Sequence, residues 1–382
     1  MSALLETTLE HLRALVAFDT RNPPRSISTG GIFDYLRSHL PGFECVVTDH
    51  GAGAVSLFAQ RGKPRIVFNV HLDTVPSSPG WTQDPLALQV TNDRAIGLGA
   101  CDIKGAAAAL LAAAAHTQGD AAFLFTTDEE ANDARCIAAF LQSPPSSATR
   151  GKVPQADGGA CAFEAAIVAE PSNCEAVLAH RGISSAMLRF VGEVGHASAE
   201  NALTENALHQ AMRWGAEALD FVAAQSHERF GGLTGLRFNI GRVEGGIKAN
   251  MIAPSAEVRF GFRPLPSMNT DVLLAGFRAC ADNIPQTFVE TFRGPALPSG
   301  DIASAESRRL VARDLADELS LPIGNAVDFW TEASLFSAAG LTAFVYGPGD
   351  IAQAHTADEW VELSQLRKIT ESYIGIIDRG HK

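Results

Sequence analysis

Seven acidic or imidazole side chains fall at the polar ends of apolar runs or in the loops after them. They are His71 and Asp73 at the end of run 65–71, Asp102 among the glycines of 97–105, and Glu129 and Glu130 after run 121–125. Glu170 follows run 165–169, and His355 lies in the loop after Tyr346. Five of them suit one chemistry. Two divalent cations that share a carboxylate need one bridging ligand and two terminal ligands apiece, and mixed imidazole and carboxylate ligation suits zinc or a similar first-row ion. Asp102 as the bridge, His71 and Glu170 on one cation, and Glu130 and His355 on the other meet that need.

Each of these residues has a plainer reading taken singly. Asp102 reads as the N-cap of an alanine-rich helix over 103–116, Asp128-Glu129-Glu130 as capping and dipole compensation, Glu170-Pro171 as a turn, His71 as a packed histidine and His355 as a solvated loop residue. Two histidines and three carboxylates gathered at strand ends exceed what capping requires. Asp73 follows His71 by two positions, so on an extended segment both side chains point the same way, and a carboxylate there fixes the imidazole tautomer. Glu129 faces away from its neighbour Glu130. It is expected to act as the general base, taking a proton from a water whose pKa a cation lowers to about 7 and handing it to a leaving amine.

The elements that position these residues follow a repeated order of apolar strand, polar tip and helix. An amphipathic helix over 1–18 and a helix over 31–40 lead to strands at 43–47, 54–60 and 65–71. Helix 103–116, strand 121–125, helix 132–141, a Pro-, Ser- and Gly-rich loop over 144–159, and strand 165–169 follow. Near-continuous apolar strands of this kind predict an α/β, doubly wound and mostly parallel sheet, with ligands beyond the carboxyl ends of its strands. From Gly182 the order becomes strand 183–191, helix 205–224, strands 236–243 and 256–262, helix 270–283 and strand 287–292, an α+β ferredoxin-like unit. The first grammar returns with helix 302–319, the Thr331-Glu332-Ala333 tip, strand 342–346 and helix 364–378. Residues 1–181 and 294–382 are therefore read as a catalytic domain, and 182–293 as an inserted lid and dimerisation domain.

Composition narrows the partners. The 382 residues carry a net charge of -13 and no basic run, which disfavours a phosphate-binding face and points away from nucleic acid. No apolar run approaches the roughly 18 residues of a membrane span. Glu6, Glu10 and Arg13 interrupt the N-terminal apolar pattern, which therefore reads as a helix rather than a signal peptide. The six cysteines, Cys45, Cys101, Cys136, Cys161, Cys174 and Cys280, show no paired spacing, which fits a reducing cytoplasm.

Taken in order, His71-Leu72-Asp73, 97–105, Asp128-Glu129-Glu130, Glu170-Pro171-Ser172, Gly195-His196-Ala197-Ser198, Gly245-Gly246 with Asn250 and Pro254, Arg263 and Ala354-His355 span most of the chain. In these stretches the chain resembles the dinuclear zinc aminoacylase and carboxypeptidase family that includes acetylornithine deacetylase and succinyl-diaminopimelate desuccinylase. Leu98 between two glycines departs from the polar or aromatic residue the family often has there. The resemblance implies two Zn2+ ions, with Co2+ as the alternative. It also implies a homodimer formed through the inserted domain, with His196 reaching the partner's site to stabilise a tetrahedral oxyanion. Asn250, Arg263 and Arg181 are implied as substrate contacts, Arg263 facing the substrate carboxylate. Overall likeness is greatest to the acetylornithine deacetylase branch, including relatives that take acetylcitrulline. The implied reaction is hydrolysis of the acetyl group from N-acetylornithine or N-acetylcitrulline in arginine biosynthesis. A desuccinylase or dipeptidase of the same family is one alternative. A catalytically silent dimeric binding protein is another, and it predicts decay of the ligands or the base, all of which are present.

Overall fold

The computed structural model describes residues 2–131, 133–142, 163–281 and 286–379. The loop expected over 144–159, Cys161, and the expected helix residues 132 and 282–283 lie outside the described residues. The chain forms two compact units, one of Met1–Leu178, Leu310–Gly324 and Thr331–Lys382, the other of Ala179–Arg309 and Asn325–Trp330. The second unit thus extends past the 182–293 boundaries read from sequence. Segment 325–330 belongs with it because Val327 N–H donates to the Ala179 carbonyl at 3.1 Å and Asp328 accepts from Arg181.

A six-stranded sheet organises the first unit, in the order Glu44–Asp49, Val55–Arg61, Ala121–Thr126, Ile66–His71, Ala165–Val168, Thr342–Val345. The last four strands pair in parallel, whereas the first two join antiparallel at one edge. Strand Ala121–Thr126 is buried along its whole length, which is why it reads as an unbroken apolar run. Register then decides where the polar tips emerge. His71 lies beside Thr126 and Asn69 beside Val168, so the segments carrying Glu129, Glu130 and Glu170 leave the sheet next to His71. Helices Ala3–Ala17, Lys104–His116 and Leu363–Arg379 share one core with the sheet, through Leu12, Ala109, Leu366 and Tyr373 among others. The alanines of the middle helix carry little bulk, and they are buried as far as Ala114.

Three features were not legible in the local pattern. A three-stranded sheet joins Gln89–Val90, Arg94–Ile96 and Trp360–Glu362, strands too short to show alternation. A short helix, Ala333–Ala338, follows Glu332. The expected 302–319 helix is a 3-10 turn, Ile302–Ser304, leading into Ala305–Glu318.

His11 on the first helix sits with its Nδ1 2.9 Å from the Tyr35 hydroxyl and its ring edge-on to His39. Burial, reinforced by His39, lowers its pKa from 6.5 to about 4. The unfolded chain therefore takes up this proton first, so stability is complete above about pH 6.5 and falls as pH drops toward 4. In urea midpoints measured against pH, His11→Gln is expected to flatten that slope; an unchanged slope would assign it to other groups.

The second unit is a four-stranded antiparallel sheet in the order Arg237–Gly245, Ser255–Arg263, Ile183–Val191, Gln286–Gly294, the ferredoxin-like arrangement. Helices Ala207–Ala224 and Thr270–Ala279 supply the other half of its core, where Trp214 and Phe277 meet Phe260 and Phe262. Alternation along Ser255–Arg263 buries Phe260 and Phe262 and leaves Gly261 and Arg263 on the opposite face. Among the described residues no helix is long and apolar enough to cross a membrane.

Candidate metal centre

At the carboxyl edge of the parallel strands, the structure brings five of the sequence-predicted residues into two groups that share Asp102. His71 Nε2 lies 3.3 Å from Asp102 Oδ1 and 3.4 Å from Glu170 Oε1. His355 Nε2 lies 3.2 Å from Asp102 Oδ2 and 3.2 Å from Glu130 Oε1. Within each group, ligand atoms of all three residues lie within 4.8 Å of one another. The two oxygens of one carboxylate thus face two different triads, the geometry a bridging ligand requires.

Two local observations test the fit to cations. Helix Lys104–His116 has Ile103 as its N-cap, with no side-chain capping bond, so capping does not explain Asp102. Asp102 Oδ1 is buried and accepts no hydrogen bond, an arrangement that is costly for a carboxylate unless a cation or donor faces it. The donor set of two imidazoles and three carboxylates suits first-row divalent ions. The residues present therefore fit such a group.

The surrounding bonds orient the ligands. His71 Nδ1 donates to the Asp73 carbonyl at 2.9 Å, with Asp73 Oδ1 at 3.5 Å, which leaves Nε2 facing the triad. Asp73 Oδ2 accepts from the Asn22 amide at 3.0 Å and from Glu130 N–H at 3.1 Å, tying the His71 and Glu130 segments together. Asn22 was missed in the sequence, where Asn22-Pro23-Pro24 reads only as a break in the pattern. Glu332, noticed only as part of a strand tip, is buried and accepts from Thr126 Oγ1 at 3.4 Å, while its Oε1 has no partner.

Charge is concentrated here. Burial pushes the Glu129 carboxyl well above the usual carboxylate range, and Glu170, Glu130 and Glu332 push the same way against the pull of His71. Burial also works against ionised Asp102, but the facing His355 and His71 imidazoles outweigh it and hold Asp102 below its ordinary value. His355 rises to about 10 through its bonds to Asp102 and Glu130. A divalent cation competes with such protons, so affinity at this centre is expected to rise with pH.

Residues assigned by resemblance in the second unit are placed as follows. His196 is exposed, its Nδ1 2.7 Å from Ser198 Oγ. Its loop is pinned to that of Asn250 by Ala197 N–H to the Asn250 carbonyl at 3.0 Å and Ile252 N–H to the Gly195 carbonyl at 2.9 Å. Arg263 is half-buried at the end of its strand. Arg181 requires a correction. Its side chain is fully buried, and its guanidinium donates to Asp328 and to the carbonyls of Gly235, Thr234 and Arg263 at 2.6, 2.8 and 3.4 Å. All three nitrogens are engaged within the second unit, so Arg181 is a structural clamp rather than a substrate contact. A lysine cannot reproduce this fork. Arg181→Lys is expected to destabilise the protein by about 3 kcal/mol, because buried carbonyls lose their donors, while KM stays unchanged. Thermal melting and steady-state kinetics read the two effects separately.

The chain matches the model of Peptidase family M20/M25/M40 over residues 67–379. It is 66% identical over 382 residues to N-acetyl-L-citrulline deacetylase of Xanthomonas campestris pv. campestris, covering 100% of both chains. It is 26% identical over 336 residues to acetylornithine deacetylase of Salmonella paratyphi B, covering 85% of this chain and 79% of the relative. Its fold is similar to that of aminopeptidase PepT from Bacillus cereus, with a TM-score of 0.71, 18% identity and 99% of each chain covered. With most of its length inside the family model and a full-length relative at this identity, the chain belongs to peptidase family M20/M25/M40.

Proposed function

We propose that this protein is a metal-dependent amidohydrolase of arginine biosynthesis that removes the acetyl group from N-acetyl-L-citrulline. The observation that carries the chemistry is the pair of triads sharing Asp102, with the Glu129 carboxyl under the electrostatic influence of His71, Glu170 and Glu130. The choice of substrate is supported by the full-length likeness to N-acetyl-L-citrulline deacetylase, against the much lower likeness to acetylornithine deacetylase. His71 and Glu170 would hold one divalent cation and Glu130 and His355 the other, with Asp102 common to both. Zn2+ is the proposed ion and Co2+ the alternative. Bound there, the cations would polarise the amide carbonyl and bring the pKa of water to about 7.

Glu129 takes the proton of the attacking water and returns it to the leaving amine, and a carboxyl whose pKa is raised suits both directions of transfer. The backbone carbonyl of Asp73, rather than the carboxylate expected from the sequence, holds the His71 imidazole in the tautomer that presents Nε2. His196 stabilises the oxyanion in the active site of a partner subunit, in a homodimer built through the ferredoxin-like unit. Asn250 and Arg263 orient the substrate, Arg263 through the α-carboxylate. The protein acts in the cytoplasm on a small acetylated amino acid.

The test compares turnover of N-acetyl-L-citrulline, N-acetyl-L-ornithine, succinyl-diaminopimelate and a dipeptide, with metal content measured on the same preparation. The expected result is highest kcat/KM for N-acetyl-L-citrulline and two cations per chain. Fewer than two tight sites, or a fully loaded protein inactive on every acetylated amino acid, overturns the reading.

A further inference from the structure

Glu359 lies in the first unit, four residues after His355. Its side chain is 2% exposed, and its carboxylate faces three backbone N–H groups of one turn. Oε2 accepts from Gly99 at 2.9 Å, while Oε1 accepts from Cys101 at 2.8 Å and from Asp102 at 2.8 Å. The Glu359 carbonyl also accepts from Gly97 N–H at 2.9 Å. Convergent backbone amides form a concavity suited to an anion, and here the chain's own carboxylate fills it. The turn depends on glycine. Gly99 has φ +79°, and a Cβ there would stand 2.9 Å from Thr74 Cγ2 and 3.0 Å from Lys104 Cδ.

Burying a carboxylate is costly, and three charge-assisted bonds offset that cost only where the donors are held in place. The turn so held is the one that carries Asp102, whose two oxygens must each face a different triad. The direction of a short side chain follows its backbone, and the Asp102 N–H is one of the three donors. The segment supplying Glu359 also supplies His355, whose Nε2 is 3.2 Å from Asp102 Oδ2. One stretch of chain thus provides a ligand of one triad and the frame of the ligand common to both.

We propose that Glu359 is a positioning residue of the two-cation centre, setting the backbone of turn 99–102 so that both Asp102 oxygens are aimed before either cation binds. The proposal rests on the reading that the two triads hold cations. It has a consequence that a residue serving only to stabilise the fold would not have. Because Asp102 is common to both triads, loss of Glu359 weakens both sites together, whereas loss of His355 removes a ligand from only one.

The test adds Co2+ to metal-free full-length protein, reading affinity by calorimetry and ligand geometry by visible absorption. Glu359→Gln keeps the size of the side chain but turns an amide NH2 toward backbone donors. It is expected to raise both dissociation constants about 10- to 100-fold and to alter the Co2+ spectrum, with the circular dichroism of the metal-free protein unchanged. Glu359→Asp, which keeps the charge, is expected to recover part of the affinity, and His355→Ala to lose one site of the two. Two Co2+ bound by Glu359→Gln with wild-type affinity, or a loss confined to one site, overturns the role of Glu359. Failure of the wild-type chain to bind two Co2+ overturns the cation reading itself. A second measurement needs no variant: in wild-type protein the Gly99, Cys101 and Asp102 amides are expected to be protected from hydrogen exchange equally with and without metal. Rapid exchange of these amides in the metal-free protein overturns the proposal that the turn is set in advance.

Discussion

Glu129→Gln is expected to keep both cations and lose about 100- to 10,000-fold in kcat, the usual contribution of a positioned general base. Glutamine matches the volume of glutamate and retains an acceptor oxygen, but it cannot take a proton from water and return it to an amine. Glu129 belongs to neither group of candidate ligands, so its replacement leaves all five in place. Elemental analysis should therefore find the wild-type metal content, and KM should change little. The pH profile sharpens the test. Burial and neighbouring carboxylates raise the Glu129 pKa in the free protein, so wild-type kcat/KM should fall on the acid side as this group becomes protonated, and the variant's residual activity should lack that limb. Undiminished turnover, or lost activity together with lost metal, would remove Glu129 from the role of base.

Asp102→Asn is expected to abolish tight binding of both cations and reduce kcat/KM about 10,000-fold or more, since the charge stabilisation lost is several kcal/mol. An amide offers one oxygen and a donor where the structure has two oxygens facing two triads, at 3.3 Å from His71 Nε2 and 3.2 Å from His355 Nε2. The variant also removes the main cause of the raised His355 pKa, so that value should fall from about 10 toward the ordinary histidine range. Metal content near zero, against loss confined to one site in His355→Ala, is the result that identifies the shared ligand. A variant that retained one tight cation would show instead that Asp102 serves a single site.

Much of the centre was legible because parallel strands leave a strong local trace. The runs ending at His71, Phe125 and Ala169 are apolar because both faces of the sheet are covered, and each gives way at the carboxyl edge to a polar residue that is itself buried. The glycines around Asp102 marked a tightly packed turn, and its positive φ at Gly99 is the reason one of them is needed. The second unit was legible through alternation, as in Ser255–Arg263, where Phe260 and Phe262 point to the core and Arg263 to the other face.

What the sequence by itself determined is therefore the main elements of the two units, the polar residues at their ends and the family. Tertiary structure alone decided which distant residues support them. Glu359 meets the backbone of Asp102 across 257 positions, Asn22 meets Asp73 across 51, and Arg181 meets Asp328 across 147. No local period or composition encodes such pairs. Nothing in the local sequence marks Glu359, and the resemblance implies Arg181 only as a substrate contact. Only folding shows one carboxylate enclosed by three amides and one guanidinium enclosed by carbonyls. Burial of a charge is a property of what surrounds it, and those surroundings come from parts of the chain far away in sequence.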